Sequence, residues 1–333
     1  MNFAFTDEQV LVRDTARALL TNECPPALLR AHMDDPAAGD PLWAHLRGFS
    51  ALGDGPCTDL AIVCEETGYV AAPGPFFATV ALFAPLLVAT GHPVLEQVLA
   101  GSATGTVALA GANGEWLANG DAVKTFVPEA HRVDWIAVVD RGPSVRLVAR
   151  EDASIREVGT LDTTRRLFEV EVGAGAGEPL ATDDAVLAGV VERATVALAA
   201  EMVGTAARLF DMTLAYAKER HQFGVPIGSF QAVQHKLADM SLAVERARSA
   251  AQYAAMALDA DDPDRHRAVH VAKAAAGAAA TRAAKDGIQL HGGIGYTWEH
   301  DLHLFIRRAY ASEFWMGNAA WHHDRLGDLL FAR

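Results

Sequence analysis

An arginine, a glutamine, a phenylalanine and a glycine stand together where a long helical pattern ends, at Arg220, Gln222, Phe223 and Gly224. A guanidinium is planar, permanently charged and able to donate two parallel hydrogen bonds, which suits a pyrophosphate. A phenyl ring packs on a flat aromatic ligand, and a glycine lets the chain turn closely beside it. These residue types therefore suit a phosphate-bearing aromatic ligand. The same four residues would also suit a plain helix end with a capping arginine and a buried phenylalanine.

A second helical pattern ends in Gln289 and His291, followed by the pair Gly292 and Gly293. Glycine commonly follows the last residue of a helix, so capping by itself explains the pair. Glycine also has no side chain, which permits a ligand to approach the backbone. Taken alone, the spacing favours the capping interpretation.

Histidines near the C-terminal end raise the question of a metal site. We expect His300 and His303 to share a helix face at i, i+3, but a zinc site needs further ligands at a defined spacing. His322, His323 and Asp324 are predicted to lie on a helix surface. The sequence therefore predicts no metal centre.

The composition restricts the class of protein. The chain has 333 residues, of which 51% are hydrophobic and 21% are charged, a balance typical of a soluble protein with two or three domains. Acidic residues number 42 and basic residues 28, giving a formal net charge of −14. Nucleic-acid binding depends on Lys and Arg that neutralise phosphates, so this surplus argues against a nucleic-acid partner.

The cysteines and the N-terminus indicate the compartment. Cys24, Cys57 and Cys64 form no CxxC pair and are odd in number, so we expect free thiols and a cytoplasmic protein. The first twenty residues lack the basic start and apolar core of a signal peptide. No apolar run reaches the roughly 18 residues needed to cross a bilayer, which predicts no membrane span.

The elements that would position these residues fall into three zones. Residues 1–100 show helical spacing and turns, with Thr6 and Gln9 as a capping box at the start of the first helix. Residues 101–182 contain short, β-branched segments separated by Gly, Asp, Asn or Pro, which predicts a small antiparallel β domain.

Residues 183–333 return to helical spacing. Apolar residues recur there at steps of three and four, and one stretch is dense in alanine. The predicted helices are about 185–219, 230–258, 264–289 and one within 318–332. Long helices joined by short turns favour a four-helix bundle. The whole chain is thus predicted to have an α+β fold that is mostly α, with a helical domain, a β domain and a helical bundle.

Two segments of the bundle strongly resemble signatures of the acyl-CoA dehydrogenase family: YAKERHQFGVPIGSFQAVQHKLADM (216–240) and DGIQLHGGIGYTWEHDLHLFIRRA (286–309). FTDEQ (5–9), CEETGYVAAPGPF (64–76) and LDTTR (161–165) agree with the family in the same order. The resemblance covers essentially the whole chain. It implies α,β-dehydrogenation of an acyl-CoA thioester with hydride transfer to FAD. It also implies an electron-transferring flavoprotein as electron acceptor and an assembly of two or four chains.

The resemblance assigns six residues to FAD binding: Arg220, Gln222, Phe223, Gln289, Gly292 and Gly293. In the family, the matching residues of the first three hold the FAD of a neighbouring subunit. The matching residues of the last three approach the adenosine–pyrophosphate half of FAD.

The catalytic base is where this sequence departs from the family. The family's most common base matches Met316, just before Gly317, and a second base position in the long helix matches Ala194. Neither side chain takes up a proton, so the catalytic residue is unknown. The nearby carboxylates are Glu192, Glu201 and Glu313, and we expect them to be helix-surface or salt-bridge residues. Glu313, which lies about one helical turn before Met316, is the candidate if the base is relocated.

The β domain departs from the family as well. VALAGANGEW (107–116) lacks the Thr-Glu-Pro and Gly-Ser-Asp stretches that line the flavin in the family, and TFVPEA (125–130) replaces a Trp-Ile-Thr segment. Three hypotheses follow. The chain is a homo-oligomeric dehydrogenase with a relocated base, a base-lacking subunit that completes the FAD site of a different partner chain, or a scaffold that has lost flavin.

Overall fold

The computed structural model describes residues 3–111, 121–140 and 142–331. Helices predominate in these ranges, and they are α1 Asp7–Glu23, α2 Pro26–Asp34, α3 Asp40–Leu46, α4 Cys57–Tyr69, α5 Ala84–Thr90, α6 Val94–Leu99, α7 Asp184–Glu219, α8 Gln231–Asp259, α9 Arg265–His291, α10 Leu302–Phe314 and α11 Ala319–Phe331. The strands are β1 Gly105–Ala108, β2 Val123–Pro128, β3 Trp135–Val139, β4 Val145–Ala149, β5 Ala153–Val158, β6 Leu167–Val172, β7 Glu178–Leu180, β8 His221–Gln222 and β9 Val225–Pro226. A π-helix, Phe77–Phe83, precedes α5. The predicted α+β, mostly α class is confirmed.

The helices begin and end close to their predicted positions. Thr6 caps α1 as expected: its hydroxyl accepts from the Gln9 N–H, and the Gln9 side chain accepts from the Thr6 N–H. The long helices α7, α8, α9 and α11 match the four predicted from the apolar spacing. The separate helix α10, Leu302–Phe314, was not delimited by the sequence analysis.

The β segments form two sheets, one with strand order β1-β3-β4-β7 and one with order β2-β6-β5. All pairings in them are antiparallel except that of β1 with β3, which is parallel and places Gly105 opposite Trp135. The expectation of purely antiparallel pairing was therefore wrong for this pair. Strand β2 belongs to the other sheet, so the connection from β1 to β3 is long enough for a parallel return. Buried side chains of both sheets, such as Val127, Ile136 and Phe168, form one core.

The chain folds as two compact units. One contains the residues up to 29, residues 61–72 and the residues from 195 onward, and the other contains residues 30–60 and 73–194. The division into three domains, with boundaries at residues 100 and 182, stays a prediction from the sequence.

In the first unit, α4 and α7 cross in close contact at two glycines. A Cβ on Gly68 would overlap the Glu201 carbonyl, and a Cβ on Gly204 would overlap the Glu65 carbonyl. The Thr205 hydroxyl donates to the Gly68 carbonyl at 3.0 Å. The backbones meet here without intervening side chains, so only glycine fits either position.

A buried ion pair connects the same region to α10. Arg308 donates to the Glu201 carboxylate at 3.0 Å, and the two side chains are only 1% and 3% exposed. The Arg308 guanidinium also donates to the carbonyls of Ala71 and Ala72. One arginine thus connects α7, α10 and the chain that follows α4, which gives the second arginine of the IRRA segment a structural role.

Alanines let α8 and α9 pack closely, because small side chains reduce the distance between helix axes. The buried alanines of this pair are Ala247, Ala251, Ala254, Ala255 and Ala257 on α8, and Ala268, Ala272, Ala274, Ala276, Ala279, Ala280, Ala283 and Ala284 on α9. The alanine-rich segment is therefore an inner helix of the unit.

Candidate functional site

The chain leaves α7 through a tight two-stranded hairpin. The Arg220 N–H donates to the Tyr216 carbonyl at 2.8 Å, and the Ile227 N–H donates to the Arg220 carbonyl at 2.8 Å. Between these bonds β8 and β9 pair, and Phe223 and Gly224 form the tip with φ values of +55° and +82°. Two consecutive residues with positive φ define the type I′ turn, which matches the twist of a hairpin. We call residues 220–227 the hairpin.

Phe223 is 93% exposed at the tip of the hairpin. Its ring makes an edge contact with Phe230 at 6.2 Å between centroids. The interpretation of Phe223 as a buried helix-end residue is therefore wrong. A bulky ring held in the left-handed region, where such residues are rare, and presented to the outside points to a ligand or a partner surface.

Arg220 and Gln222 accompany the ring on the hairpin. Both side chains are exposed, and the Gln222 amide donates to the His221 carbonyl at 2.8 Å. Within the described ranges, the Arg220 guanidinium has no carboxylate partner. It is therefore available for an anionic group supplied from outside.

The two glycines that follow α9 are also exposed. Gly292 has φ +62° and ψ −140°, a conformation that is essentially restricted to glycine. A Cβ on Gly292 or Gly293 would meet no atom of this chain within 4 Å. Packing within the chain therefore does not explain why Gly293 lacks a side chain, and Gln289 beside them is exposed. The turn Gly292–Tyr296 that follows α9 is called the glycine turn.

Tyr216 connects the hairpin with the glycine turn. Its ring stacks on the His291 ring with 4.4 Å between centroids and 20° between planes, and its hydroxyl donates to the His291 carbonyl at 3.4 Å. Tyr216 lies one helical turn before Arg220, and His291 directly precedes Gly292. The two sequence motifs thus meet at one place on the first unit.

The turn after α10 carries the residue that matches the family's usual base. Met316 is buried and has φ +57°, and Gly317 has φ +89°. The Lys273 ammonium donates to the carbonyls of Ser312, Glu313 and Gly317 at 3.2, 3.1 and 2.7 Å. Hydrogen bonds from a fully buried lysine therefore stabilise the turn. Burial lowers the pKa of Lys273 to about 8.

His322 holds the same turn from α11. Its Nε2 lies 3.0 Å from the Met316 carbonyl, and its side chain is 1% exposed. Burial, with Lys273 nearby, lowers the pKa of His322 to about 3. The expectation that His322 lies on a helix surface was wrong, because this face of α11 packs on α9, where His270 Nδ1 lies 2.7 Å from His322 Nδ1.

Glu313 is committed to a structural contact. One carboxylate oxygen accepts from the Ala319 N–H at 3.0 Å, at the first residue of α11. The other oxygen is buried against Gly277, where a Cβ would overlap it. The free N–H groups at a helix N-terminus take a carboxylate as hydrogen-bond partner. This position gives Glu313 the role of a cap for α11 and disfavours it as a relocated base.

Several other predicted features have defined positions. Ala194 is fully buried in α7. His300 precedes α10 and His303 lies within it, so the expected shared helix face is wrong; His300 accepts from the Leu302 N–H at 3.1 Å. TFVPEA (125–130) overlaps the bulged end of β2. In VALAGANGEW (107–116), residues 112–116 lie outside the described residues.

Among residues 3–111, 121–140 and 142–331, no group of three or more His, Cys, Asp or Glu side chains is placed to hold a metal ion. In the same part of the chain, no helix combines the length and the apolar character that a membrane crossing requires.

Comparison with known proteins agrees with this architecture. The family model for the C-terminal domain of acyl-CoA dehydrogenases matches residues 186–330. The acyl-CoA dehydrogenase IpdE2 of Mycobacterium tuberculosis is 34% identical over 320 residues, which cover 92% of this chain and 92% of that protein.

Two solved structures resemble the chain over almost its full length. The ChsE4-ChsE5 complex of Mycobacterium tuberculosis has a TM-score of 0.87 at 26% identity and covers 99% of each chain. The G363A variant of the Tcur3481-Tcur3483 steroid ACAD has a TM-score of 0.88 at 28% identity, covering 97% of this chain and 98% of that chain. Because the relative of 34% identity spans nearly the whole sequence, the chain belongs to the acyl-CoA dehydrogenase family, whose cofactor is FAD.

Proposed function

We propose that this chain is a subunit of an FAD-dependent acyl-CoA dehydrogenase that completes the FAD site of a different partner chain and carries no proton-abstracting base itself. One observation carries the proposal: Arg220 and Phe223 are exposed on the hairpin, and Tyr216, one helical turn before that hairpin, contacts His291, which leads into the exposed Gly292–Gly293 backbone. Met316 and Ala194, which stand at the two base positions, have side chains that take up no proton.

The residues present fit a flavin dinucleotide. The Arg220 guanidinium, which has no carboxylate partner among the described residues, suits the two adjacent phosphates, and the Phe223 ring offers a flat apolar surface for an aromatic ring system. The glycine turn leaves space for the adenosine–pyrophosphate half to lie directly on the backbone, where Gln289 is exposed to contact it. These groups point away from the chain, so the ligand they suit would be shared with a neighbour.

Dehydrogenation of an acyl-CoA thioester requires a base for the Cα proton, and FAD, when bound, accepts the hydride that leaves Cβ. In this chain Arg220, Gln222 and Phe223 would bind and orient the cofactor, and Gln289 with the two glycines would hold its adenosine side. The proton must be removed by a carboxylate from the partner chain. Electron-transferring flavoprotein as acceptor and a cytoplasmic location belong to the same proposal.

A heteromeric assembly is favoured over the other two hypotheses. Two similar solved structures, ChsE4-ChsE5 and Tcur3481-Tcur3483, are named as pairs of different chains. A homo-oligomer would need a relocated base, and Glu313 already caps α11. A flavin-free scaffold would leave Phe223 exposed in a rare backbone conformation without a function.

The first test is flavin uptake by the chain purified alone and after co-expression with a base-bearing acyl-CoA dehydrogenase subunit of the same organism. We expect a colourless chain alone and a yellow complex. Arg220→Ala should lower the flavin content of the complex about tenfold or more, because a charge-assisted phosphate contact is lost. Arg246→Ala, which removes an exposed arginine of α8, is the matched control and should retain full flavin.

The outcome also separates the hypotheses. A chain that is yellow and dehydrogenates acyl-CoA when purified alone contradicts the need for a partner. A complex that never takes up flavin contradicts the proposed function as a whole.

A further inference from the structure

We propose that Tyr216 is a positioning residue that couples the hairpin to the glycine turn, so that both segments meet one ligand in a fixed relative orientation. The inference rests on the proposed function for its ligand, FAD. Tyr216 contacts the hairpin through its carbonyl, and it contacts His291, which leads into the glycine turn, through its ring and its hydroxyl.

Tyr216 is linked to the hairpin through the last turn of α7. Residues four apart lie on the same helix face, so Tyr216 and Arg220 face the same side of α7. The Arg220 N–H donates to the Tyr216 carbonyl at 2.8 Å, which is the last helical bond before the hairpin. A shift of Tyr216 therefore changes the direction in which the hairpin leaves the helix.

Tyr216 is linked to the glycine turn through His291. His291 is 3% exposed, and its Nδ1 lies 2.8 Å from the Gly287 carbonyl. A carbonyl only accepts hydrogen bonds, so Nδ1 carries the proton. Burial lowers the pKa of His291, which keeps the ring neutral. The ring is thus locked in orientation by its own helix.

The His291 ring has a second aromatic neighbour, His300, which meets it edge-on. His300 meets the His291 ring at 4.8 Å with 69° between planes, and Tyr216 meets the same ring at 4.4 Å. Because the Tyr216 hydroxyl also donates to the His291 carbonyl, it contacts the peptide group that leads into Gly292. The start of the glycine turn is therefore held by a residue of α7.

The remaining contacts of the hairpin are local. Residues 221–225 are exposed, and the polar contacts of Gln222 and His221 stay within the hairpin or its helix end. Gly228 packs against the Ala217 carbonyl, where a Cβ would come to 2.9 Å, and this fixes the return strand on α7. The Tyr216–His291 stack thus joins the end of α7, from which the hairpin leaves, to the end of α9.

The test compares Tyr216→Ala, which removes the stack, with Tyr216→Phe, which retains the ring and removes the hydroxyl. Tyr253→Ala is the matched control, since Tyr253 is a half-buried tyrosine that stacks on Phe3 at 6.3 Å in the same unit. Amide hydrogen exchange is measured on the chain without flavin, and FAD titration is measured on the complex with its partner.

We expect Tyr216→Ala to speed amide exchange in both the hairpin and the glycine turn, with the middle of α8 and α9 unchanged. FAD affinity should fall about tenfold, because the free energy of one aromatic pair corresponds to about a factor of ten in affinity. Tyr216→Phe should show slow exchange in both segments and retain most of the FAD affinity. Recovery of both segments together is the result that distinguishes a positioning residue from a tyrosine that only stabilises the fold.

Faster exchange in only one of the two segments, or equal effects in Tyr253→Ala, would overturn the coupling. Unchanged FAD affinity in Tyr216→Ala would overturn it as well. If the wild-type complex takes up no FAD, the proposed function fails, and the exchange pattern of the flavin-free chain alone then decides whether the two segments are coupled.

Discussion

Phe223 shows how a single residue departs from local preference at a candidate site. A bulky residue in the left-handed region costs about 1–3 kcal/mol. The same residue is almost fully exposed, so packing within the chain does not offset that cost. A type I′ turn of this length strongly prefers Asn-Gly, and the chain has Phe-Gly instead. The phenyl ring is therefore best explained by a contact outside the chain.

Replacement of Phe223 by asparagine should separate stability from binding. We expect Phe223→Asn to raise the free energy of unfolding of the isolated chain by about 0.5–1 kcal/mol, because Asn tolerates positive φ. The same change should weaken FAD uptake by the complex. Chemical denaturation and FAD titration measure the two effects. Phe331→Asn, which removes another exposed ring, should show neither effect, and a destabilised Phe223→Asn would contradict the argument.

At the scale of secondary-structure elements, the crossing of α4 and α7 depends on backbone contact. Gly204 meets the Glu65 carbonyl, and beside this crossing Glu201 pairs with Arg308 of α10. An added methyl group must push the helices apart, and this strains the buried ion pair as well. Breaking such a pair is costly because a buried charge is left without its partner.

Gly204→Ala and Gly189→Ala make a matched pair on the same helix. A Cβ at Gly189 would meet no atom within 4 Å, so Gly189→Ala should stabilise the chain by about 0.5–1 kcal/mol through helix propensity. Gly204→Ala should destabilise it by about 1–3 kcal/mol through overpacking. Thermal and denaturant unfolding give both values. Equal effects of the two substitutions would show that α4 and α7 are not in close contact at Gly204.

At the scale of the whole molecule, each compact unit contains a histidine with a lowered pKa, the half-buried His131 in one unit and the buried His322 in the other. Burial and nearby arginines lower the pKa of His131 to about 4, and burial with Lys273 lowers the pKa of His322 to about 3. In the unfolded chain both groups titrate near pH 6.5. Below that pH the unfolded chain takes up protons that the folded chain does not, so stability falls as the pH decreases.

We therefore expect stability to decrease from about pH 6.5 towards about pH 4, with each histidine contributing up to about 1.4 kcal/mol per pH unit. His322→Asn should reduce the slope of the free energy of unfolding against pH in this window. The exposed neighbour His323 provides the control substitution, His323→Asn. Denaturant unfolding at a series of pH values measures the slopes, and an unchanged slope in His322→Asn would contradict the assignment.

The sequence by itself determined most of the helical framework and the family. Periodic apolar residues are a local property, so the long helices and the capping box of α1 could be placed without the fold. The motifs around Arg220 and Gly292 are also continuous in sequence, which is why the resemblance and its cofactor followed from them. Strands β5 and β7 have a weaker local signal: β5 contains only half-buried and exposed residues, and β7 has three residues including a proline.

Only the tertiary structure decided which distant residues meet. Three contacts join segments far apart in sequence: Tyr216 with His291, Glu201 with Arg308, and Lys273 with Gly317. The parallel pairing of β1 with β3 and the burial of His322 have the same origin. Periodicity predicts that a face is buried, but the partner of that face depends on how separate helices and strands pack, because those contacts form between residues with no fixed spacing along the chain.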